Sequence, residues 1–154
     1  LSLVGSEMCI RDRYLLVLTD PELSYEGYSE DFEIGIFLTE QQAQETAQYY
    51  LENIRGFCDF PCTYRIVKKE IADNFNDSIS EAIWIVQGWN INENFDEIDI
   101  VESACFLTKK HAEEELQRIQ KLYRRTEWAL GKSIIGDLQW RDGFVRMIGG
   151  QPNN

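Results

Sequence analysis

A seven-residue stretch of this chain occurs twice with little change. Residues 37–43 read FLTEQQA and residues 106–112 read FLTKKHA, so the two copies are offset by 69 residues. The same offset, carried outward without a gap, pairs Val17 with Val86 and Glu45 with Glu114. A short repeated unit of this kind buries its apolar face by packing against a neighbour. The duplication therefore predicts two copies of one small α+β unit, and by itself it names no reaction.

Each copy carries the sequence pattern of three strands and one helix in the order β-β-α-β. Short apolar runs predict first strands that are buried on both faces, and alternating apolar residues predict the second strands. The three strands are predicted at 14–18, 32–38 and 64–71 in the first copy, and at 83–86, 101–107 and 133–140 in the second. The fold class is therefore α+β, with two tandem repeats and a mainly antiparallel sheet.

A helix is predicted after the second strand of each copy. Thr39 and Thr108 are suitable N-cap residues because a threonine hydroxyl accepts a hydrogen bond from the first turn. An apolar stripe follows each cap. We place Gly56 at the end of the first helix, where a left-handed residue is common. The second helix is predicted to continue to Leu130, with Gly131 as its stop.

These elements define the expected domain organisation. The first repeat covers residues 14–71, a polar linker covers 72–81, and the second repeat covers 82–150. Because one helix covers only one face of a three-stranded sheet, the second face also needs cover. We expect the other copy to supply that cover within one compact domain, or a partner subunit to do so, and the oligomeric state stays open.

The first residues of the chain have a different origin in this interpretation. Residues 3–13 read LVGSEMCIRDR. This segment resembles the in-frame translation of a transposon-type sequencing adapter, so residues 1–13 are expected to be an artefact and 1–12 to pack loosely. The alternative is a native N-terminal arm. If the resemblance holds, the native chain begins at or before Tyr14 and lacks its initiator, and a signal peptide could be lost with it. Residues 14–154 resemble the small acidic proteins of bacterial and phage genomes in character, without a motif of a particular family.

Charge is strongly segregated along a chain whose net charge is −12. Residues 14–54 and 70–108 contain no Lys or Arg, and each stretch contains nine acids. Each stretch includes a connection between first and second strands that is expected to be a long acidic loop, at 19–31 and 88–100. Such runs are either solvated loops or a surface that docks a basic partner or imitates nucleic acid. Because phosphates would be repelled, nucleic acid itself is not an expected partner.

Cysteine and histidine do not form a recognisable reactive motif. Cys58 and Cys62 are separated by three residues, whereas a structural zinc site needs four ligands. Only Cys105 and His111 could complete such a site, and Cys105 is expected to be a buried strand residue. His111 has no acid partner at a recognisable spacing. We therefore assign no catalytic residue, metal or cofactor. The odd number of native cysteines favours a reducing, cytoplasmic location, and no apolar run approaches the ~20 residues of a membrane span.

The second acidic connection alternates amide and carboxylate side chains in a manner similar to a calcium loop. The alternating residues are Asn90, Asn92, Asn94, Asp96 and Glu97. Phe95 stands where an EF-hand requires glycine, and Val101 stands where it requires the bidentate glutamate. Weak cation binding stays an alternative, but an EF-hand is not predicted.

Aromatic residues among the acids indicate a protein-binding surface, since such anchors are enriched at interfaces. The predicted binding residues are Trp89, Tyr25, Tyr28, Asp96, Glu97 and Asp99. The leading hypothesis is a non-catalytic protein-interaction module of the immunity, antitoxin or regulatory adaptor type, whose partner has a basic face. The alternative is a small-ligand-binding module with a pocket between the repeats. A small enzyme that uses carboxylates of the acidic loops comes third, and would need a cleft with perturbed pKa values.

Overall fold

The computed structural model describes residues 12–25, 28–73, 81–148 and 151–153 of the 154-residue chain, so residues 1–11 of the adapter-like segment lie outside it. The elements before the midpoint are β1 (Asp12–Tyr25), β2 (Tyr28–Phe37), α1 (Glu40–Asn53) and β3 (Thr63–Glu70). Those after it are β4 (Ala82–Ile91), β5 (Glu97–Phe106), α2 (Lys109–Leu122), β6 (Glu127–Ile134), β7 (Arg146–Ile148) and β8 (Gln151–Asn153). Asp12 is buried at the start of β1, so the loose packing expected of residues 1–12 is wrong at that position.

The chain divides into two compact units. The described part of the first unit consists of residues 12–68 together with the segment from 136 onward, and the second unit consists of residues 69–135. The first unit contains a three-stranded antiparallel sheet in the order β2-β1-β3 with α1, and the second contains a sheet in the order β5-β4-β6 with α2. The predicted α+β class and the β-β-α-β order of each repeat are confirmed.

The 69-residue offset holds for the second strand and the helix of each repeat. Both ends of β2 and β5, and both ends of α1 and α2, differ by 69. Thr39 Oγ1 accepts a hydrogen bond from the backbone N–H of Gln42 at 3.1 Å, and Thr108 Oγ1 accepts one from His111 at 3.2 Å. The two predicted N-caps are therefore confirmed, and each satisfies one of the free N–H groups of a first helical turn.

The offset changes to 70 in the first strands, which corrects the pairing of Val17 with Val86. Tyr14 lies opposite Phe37 in the first unit, and Trp84 lies opposite Phe106 in the second. On this register the counterpart of Val86 is Leu16, and both side chains are fully buried. A shift of one residue moves every side chain to the other face, so burial decides the alignment here.

The third strand of the second repeat begins earlier than predicted. β6 spans Glu127–Ile134 instead of residues 133–140, and α2 ends at Leu122 instead of Leu130. Trp128 and Leu130 alternate along β6 and pack against the core around Val86, so strand periodicity prevails over the helical pattern. The helix-to-strand connection has nine residues in the first repeat, 54–62, and four in the second, 123–126.

Helix α1 covers one face of the first sheet with the predicted stripe, since Ala43, Ala47 and Tyr50 are buried. The helix ends where the N–H of Ile54 donates to the carbonyl of Tyr50 at 3.0 Å. Ile54 is extended, and the left-handed residue Gly56 (φ +85°) comes two positions later. Gly56 therefore turns the chain after the helix and does not cap it directly.

The segment after β6 belongs to the first unit, although the sequence pattern assigned it to the second repeat. The N–H groups of Gly136 and Gln139 donate to the carbonyls of Ile36 and Ile34 along the outer edge of β2, at 2.8 and 2.7 Å. In the second unit, the N–H of Ala72 donates to Cys105 on β5 at 2.9 Å. Thus in each unit the second strand is flanked by the segment that follows the third strand of the other repeat.

The end of the described chain completes the first unit. Phe144 packs into a core that also contains Leu16, Leu18, Phe32, Ile34, Phe37, Tyr50 and Phe57. Its ring stacks on Phe32 at a centroid distance of 4.7 Å. Strand β7 pairs with β8 in an antiparallel ribbon.

Candidate protein-docking face

The acidic stretches expected as long loops are largely strand. Strand β1 extends to Tyr25 and β2 begins at Tyr28. Likewise, β4 extends to Ile91 and β5 begins at Glu97. Alternation of acids with apolar residues is a strand pattern, and it was obscured by the high density of polar residues. The carboxylates of the second repeat therefore stand on a hairpin with defined faces.

The turn of this hairpin is organised by Asn92. Its side-chain oxygen accepts hydrogen bonds from the backbone N–H groups of Asn94 and Asp96, both at 2.9 Å, and its amide donates to Asp96 Oδ2 at 3.3 Å. Phe95, at φ +65°, is 87 % exposed at the tip. The calcium-like alternation thus builds an Asx-type turn. Within the described ranges, no three potential ligands from His, Cys, Asp and Glu come together as a metal site.

Cross-strand pairing separates the two faces of the second sheet. Gly88 lies opposite Trp128, and a Cβ built on Gly88 would stand 2.6 Å from the Trp128 ring. Since Trp128 packs in the cluster with the helix residues Ala112 and Ile119, Gly88 faces α2. Side chains alternate along a strand, so Trp89 and Ile91 face away from α2.

An apolar strip with an acidic border lies on that helix-free face. Trp89 is half-buried, Ile91 is 38 % exposed and Ile100 is 59 % exposed. Glu127 lies opposite Trp89, and Glu97 lies opposite Ile91. We call these five residues the distal face. Its apolar centre and acidic rim match the anatomy of a protein interface.

Glu102 closes the inner end of the distal face. Lys69 Nζ donates to one carboxylate oxygen at 2.8 Å, and Gln87 Nε2 donates to the other at 2.9 Å. Burial raises the pKa of Glu102, but these hydrogen bonds outweigh burial and the net pKa is lowered. The negative charge of this carboxylate is therefore balanced by Lys69. Glu97 and Glu127 remain as the charged rim.

The predicted binding residues divide between the two units. The second hairpin holds Trp89 and Glu97 on the distal face, Asp99 beside them on β5, and Asp96 in the turn. Tyr25 and Tyr28 pair at the end of the first hairpin, in the other unit, and their side chains lie outside the described set.

Ile91 and Ile100 were not among the predicted binding residues. Ile91 stands between two asparagines and Ile100 follows Asp99, in a stretch interpreted as loop that ends in the run INENFDEIDI. Their alternation with acids was the available signal. In the first repeat, the offsets of 70 and 69 place Thr19 and Asp31 at the positions of Trp89 and Ile100.

At those positions the first repeat is polar. Thr19 Oγ1 donates to Asp31 Oδ1 at 2.8 Å, and Arg65 Nη2 donates to Asp31 Oδ2 at 3.1 Å. The hydrogen bond from Arg65 lowers the pKa of the Asp31 carboxyl and outweighs the effect of its burial. At equivalent backbone positions, the first repeat thus carries a hydrogen-bonded polar network and the second repeat carries an apolar strip.

A histidine–aspartate contact was also missed. Asp73 is buried, accepts the backbone N–H of Leu107 at 3.0 Å through Oδ1, and contacts His111 Nδ1 through Oδ2. The two residues are 38 positions apart, so no sequence motif could reveal the pair. Although a carboxylate-held imidazole is half of an acid–base arrangement, here it fastens the segment after β3 to the start of α2. We therefore assign a structural role to the contact between Asp73 and His111.

Cys58 and Cys62 are free thiols. Cys105 is buried, as predicted. Burial and the nearby carboxylate of Asp20 raise the pKa of Cys62 to about 11, despite the opposing charge of Arg146. Burial and the charge of Asp59 raise the pKa of Cys58 as well. Since the thiolate is the nucleophile, Cys58 and Cys62 are poorly activated thiols.

Comparisons with known proteins found no matching family model and no similar curated protein or solved structure. None of the described helices is long and apolar enough to cross a membrane.

Proposed function

We propose that this chain is a non-catalytic protein-interaction module that binds a partner protein through the distal face. The observation that carries the proposal is an apolar strip inside an acidic border, on the helix-free side of a sheet, formed by half-buried Trp89 and the exposed Ile91 and Ile100. Equivalent positions of the first repeat carry a closed polar network. The two repeats share one fold but differ at these positions, where only the second repeat exposes apolar side chains.

The chemistry of this face indicates the chemistry of the partner. Residues 70–108 contain no Lys or Arg, so the side chains of the hairpin itself carry only negative charge. A partner with cations around an apolar centre would be attracted at long range and would desolvate Trp89 and Ile100 at contact. An immunity, antitoxin or adaptor role in the cytoplasm fits this chemistry. Open sheet surface suits a protein better than a small molecule, because small-ligand sites enclose most of their ligand.

The test is site-specific photo-crosslinking in cells that carry the gene. Ile98 supplies a matched control: it is 39 % exposed, lies on the same hairpin, and pairs with Asn90 on the face toward α2. A crosslinking amino acid at position 100 should capture one defined protein with a basic surface, and the same amino acid at 98 should not. Equal capture at both positions, or capture at neither, would refute the proposed face.

A further inference from the structure

The distal face is built on an irregularity in β5. Gly88 pairs with Val101 and Asn90 pairs with Ile98, so Asp99 and Ile100 together stand opposite Trp89. This is a β-bulge, in which one strand carries an extra residue. Asp99 is left-handed, with φ +54°. Bulges change the direction of the side chains next to them, and Ile100 directly follows the left-handed residue of this one.

The bulge is a specific feature of the second repeat. Both sheets share an inner bulge, between Leu16 and Val17 of β1 and between Ile85 and Gln87 of β4. Further out, the first sheet pairs Thr19 with Asp31 and Asp20 with Glu30 in regular register. Its next register shift lies beyond Asp20, and the described residues of β1 and β2 include no left-handed position.

Three segments hold the bulge in place. Asn90 Nδ2 donates to Asp99 Oδ2 at 3.1 Å, and Asn90 Oδ1 accepts from the backbone N–H of Thr126 at 3.0 Å. Arg125 Nε donates to the backbone carbonyl of Asp99. Strand β4, through Asn90, and the connection between α2 and β6, through Arg125, therefore both bind Asp99 of strand β5. These contacts can maintain a left-handed backbone conformation that is unfavourable for most L-residues.

We propose that Asp99 is a positioning residue, which orients Ile100 beside Trp89 through its left-handed backbone and not through its charge. The purpose of this arrangement rests on the proposed docking function, whereas the arrangement itself can be tested without a partner. Asp, Asn and Gly tolerate the left-handed region, and the β-branched Val does not. Asp99→Gly and Asp99→Asn should therefore preserve the face, and Asp99→Val should disrupt it.

The experiment is methyl NMR on full-length protein with labelled isoleucine δ1 groups. Directly opposed residues have Cβ atoms about 5 Å apart, so Ile100 should show a nuclear Overhauser effect to the Trp89 ring. We expect Asp99→Gly and Asp99→Asn to retain this signal, and Asp99→Val to lose more than half of it. The amide of Thr126 should exchange at least tenfold faster in the Val variant. Unshifted Ile83 and Ile119 signals control for folding of the second unit.

Two outcomes overturn the proposal. If Asp99→Val retains the Ile100–Trp89 signal, the backbone conformation at 99 does not set the face. If Asp99→Gly and Asp99→Asn lose the signal as Asp99→Val does, the carboxylate is required, and Asp99 acts through its charge. Either result leaves the crosslinking contrast between positions 100 and 98 intact, so failure of this proposal and failure of the docking function are distinguishable.

Discussion

Asp20 and Arg146 are 126 positions apart and form a bidentate ion pair inside the first unit. The guanidinium of Arg146 donates through Nε and Nη2 to the two carboxylate oxygens of Asp20, at 2.9 and 2.8 Å. Asp20 is 0 % exposed. The guanidinium also stands 3.5 Å from the centroid of the Phe60 ring. This pair fastens the segment after β6 to β1, so the first unit depends on the last part of the described chain.

Removing the acid of this pair should be strongly destabilising. Asp20→Ala removes the bidentate partner of Arg146 and leaves its guanidinium only the exposed Glu22, at 3.1 Å, so the loss of stability should be several times larger than for an exposed pair. Asp31→Ala is the matched control, because Asp31 pairs with Arg65 at the surface. An exposed pair contributes at most about 1 kcal/mol. Urea unfolding measures both, and similar midpoint shifts for the two variants would contradict the assigned role of Asp20.

Packing against the same segment should make Gly56 intolerant of a side chain. A Cβ at Gly56 would lie 2.5 Å from Phe144, whereas a Cβ at Gly136 would meet no atom within 4 Å. Both glycines are left-handed, so alanine at either costs about 1–2 kcal/mol of backbone strain. Gly56→Ala should lose roughly 1–3 kcal/mol more through overpacking. Thermal unfolding of the two variants compares them, and equal losses would show that Phe144 does not press on Gly56.

Local sequence signals predicted the parts of the fold that local physics determines. The caps at Thr39 and Thr108 and the offset shared by β2, α1 and their copies follow from residues close together in the chain. The start of β6 does not, because a five-residue difference in loop length breaks the offset without leaving a motif. Similarly, an aromatic ring among acids was enough to propose Trp89 as a binding residue, but the position of Ile100 beside it could not be predicted from local sequence. The bulge that aims Ile100 depends on Asn90 and Arg125 from other segments.

The reactivity of Cys62 should depend on pH in a way that reports its environment. A pKa raised from 9 to about 11 lowers the thiolate fraction at pH 8 roughly 100-fold, since each unit is a factor of ten. Iodoacetamide should therefore modify Cys62 slowly in the folded Cys58→Ser variant, with a rate that rises about tenfold per pH unit up to about pH 11. The urea-unfolded protein is the control. A folded-state profile with its midpoint near pH 9 would contradict the raised pKa.

Truncation at the N-terminus should separate the adapter-like segment from the fold. Asp12 is buried and its carboxylate lies 3.3 Å from Lys68 Nζ, and Arg13 is also buried. If residues 1–11 are an adapter-derived segment, deleting them should leave the melting temperature within about 2 °C, because changes that remove no core contact are usually small. Deleting residues 1–13 should lower it clearly, since two buried residues of β1 are lost. A large loss from the shorter deletion would argue that residues 1–11 contribute packing.

Substitutions of the charged residues and of the apolar residues on the β4–β5 hairpin should affect different rate constants, the first association and the second dissociation. Neutralising Asp96, Glu97 and Asp99 together removes three charges of one sign, so association should slow and its salt dependence should weaken. Trp89→Ala should instead speed dissociation, by roughly 30-fold if Trp89 contributes about 2 kcal/mol as an anchor. Glu114→Gln on the exposed face of α2 and Ile98→Ala on the other side of the hairpin are the controls. Both rates are measured by surface plasmon resonance across a salt series, with the partner that crosslinking identified immobilised on the chip. Since Asp99 is also the positioning residue, Asp96→Asn with Glu97→Gln should retain most of the association effect. Binding that responds equally to the controls and to these variants would place the contact elsewhere on the molecule.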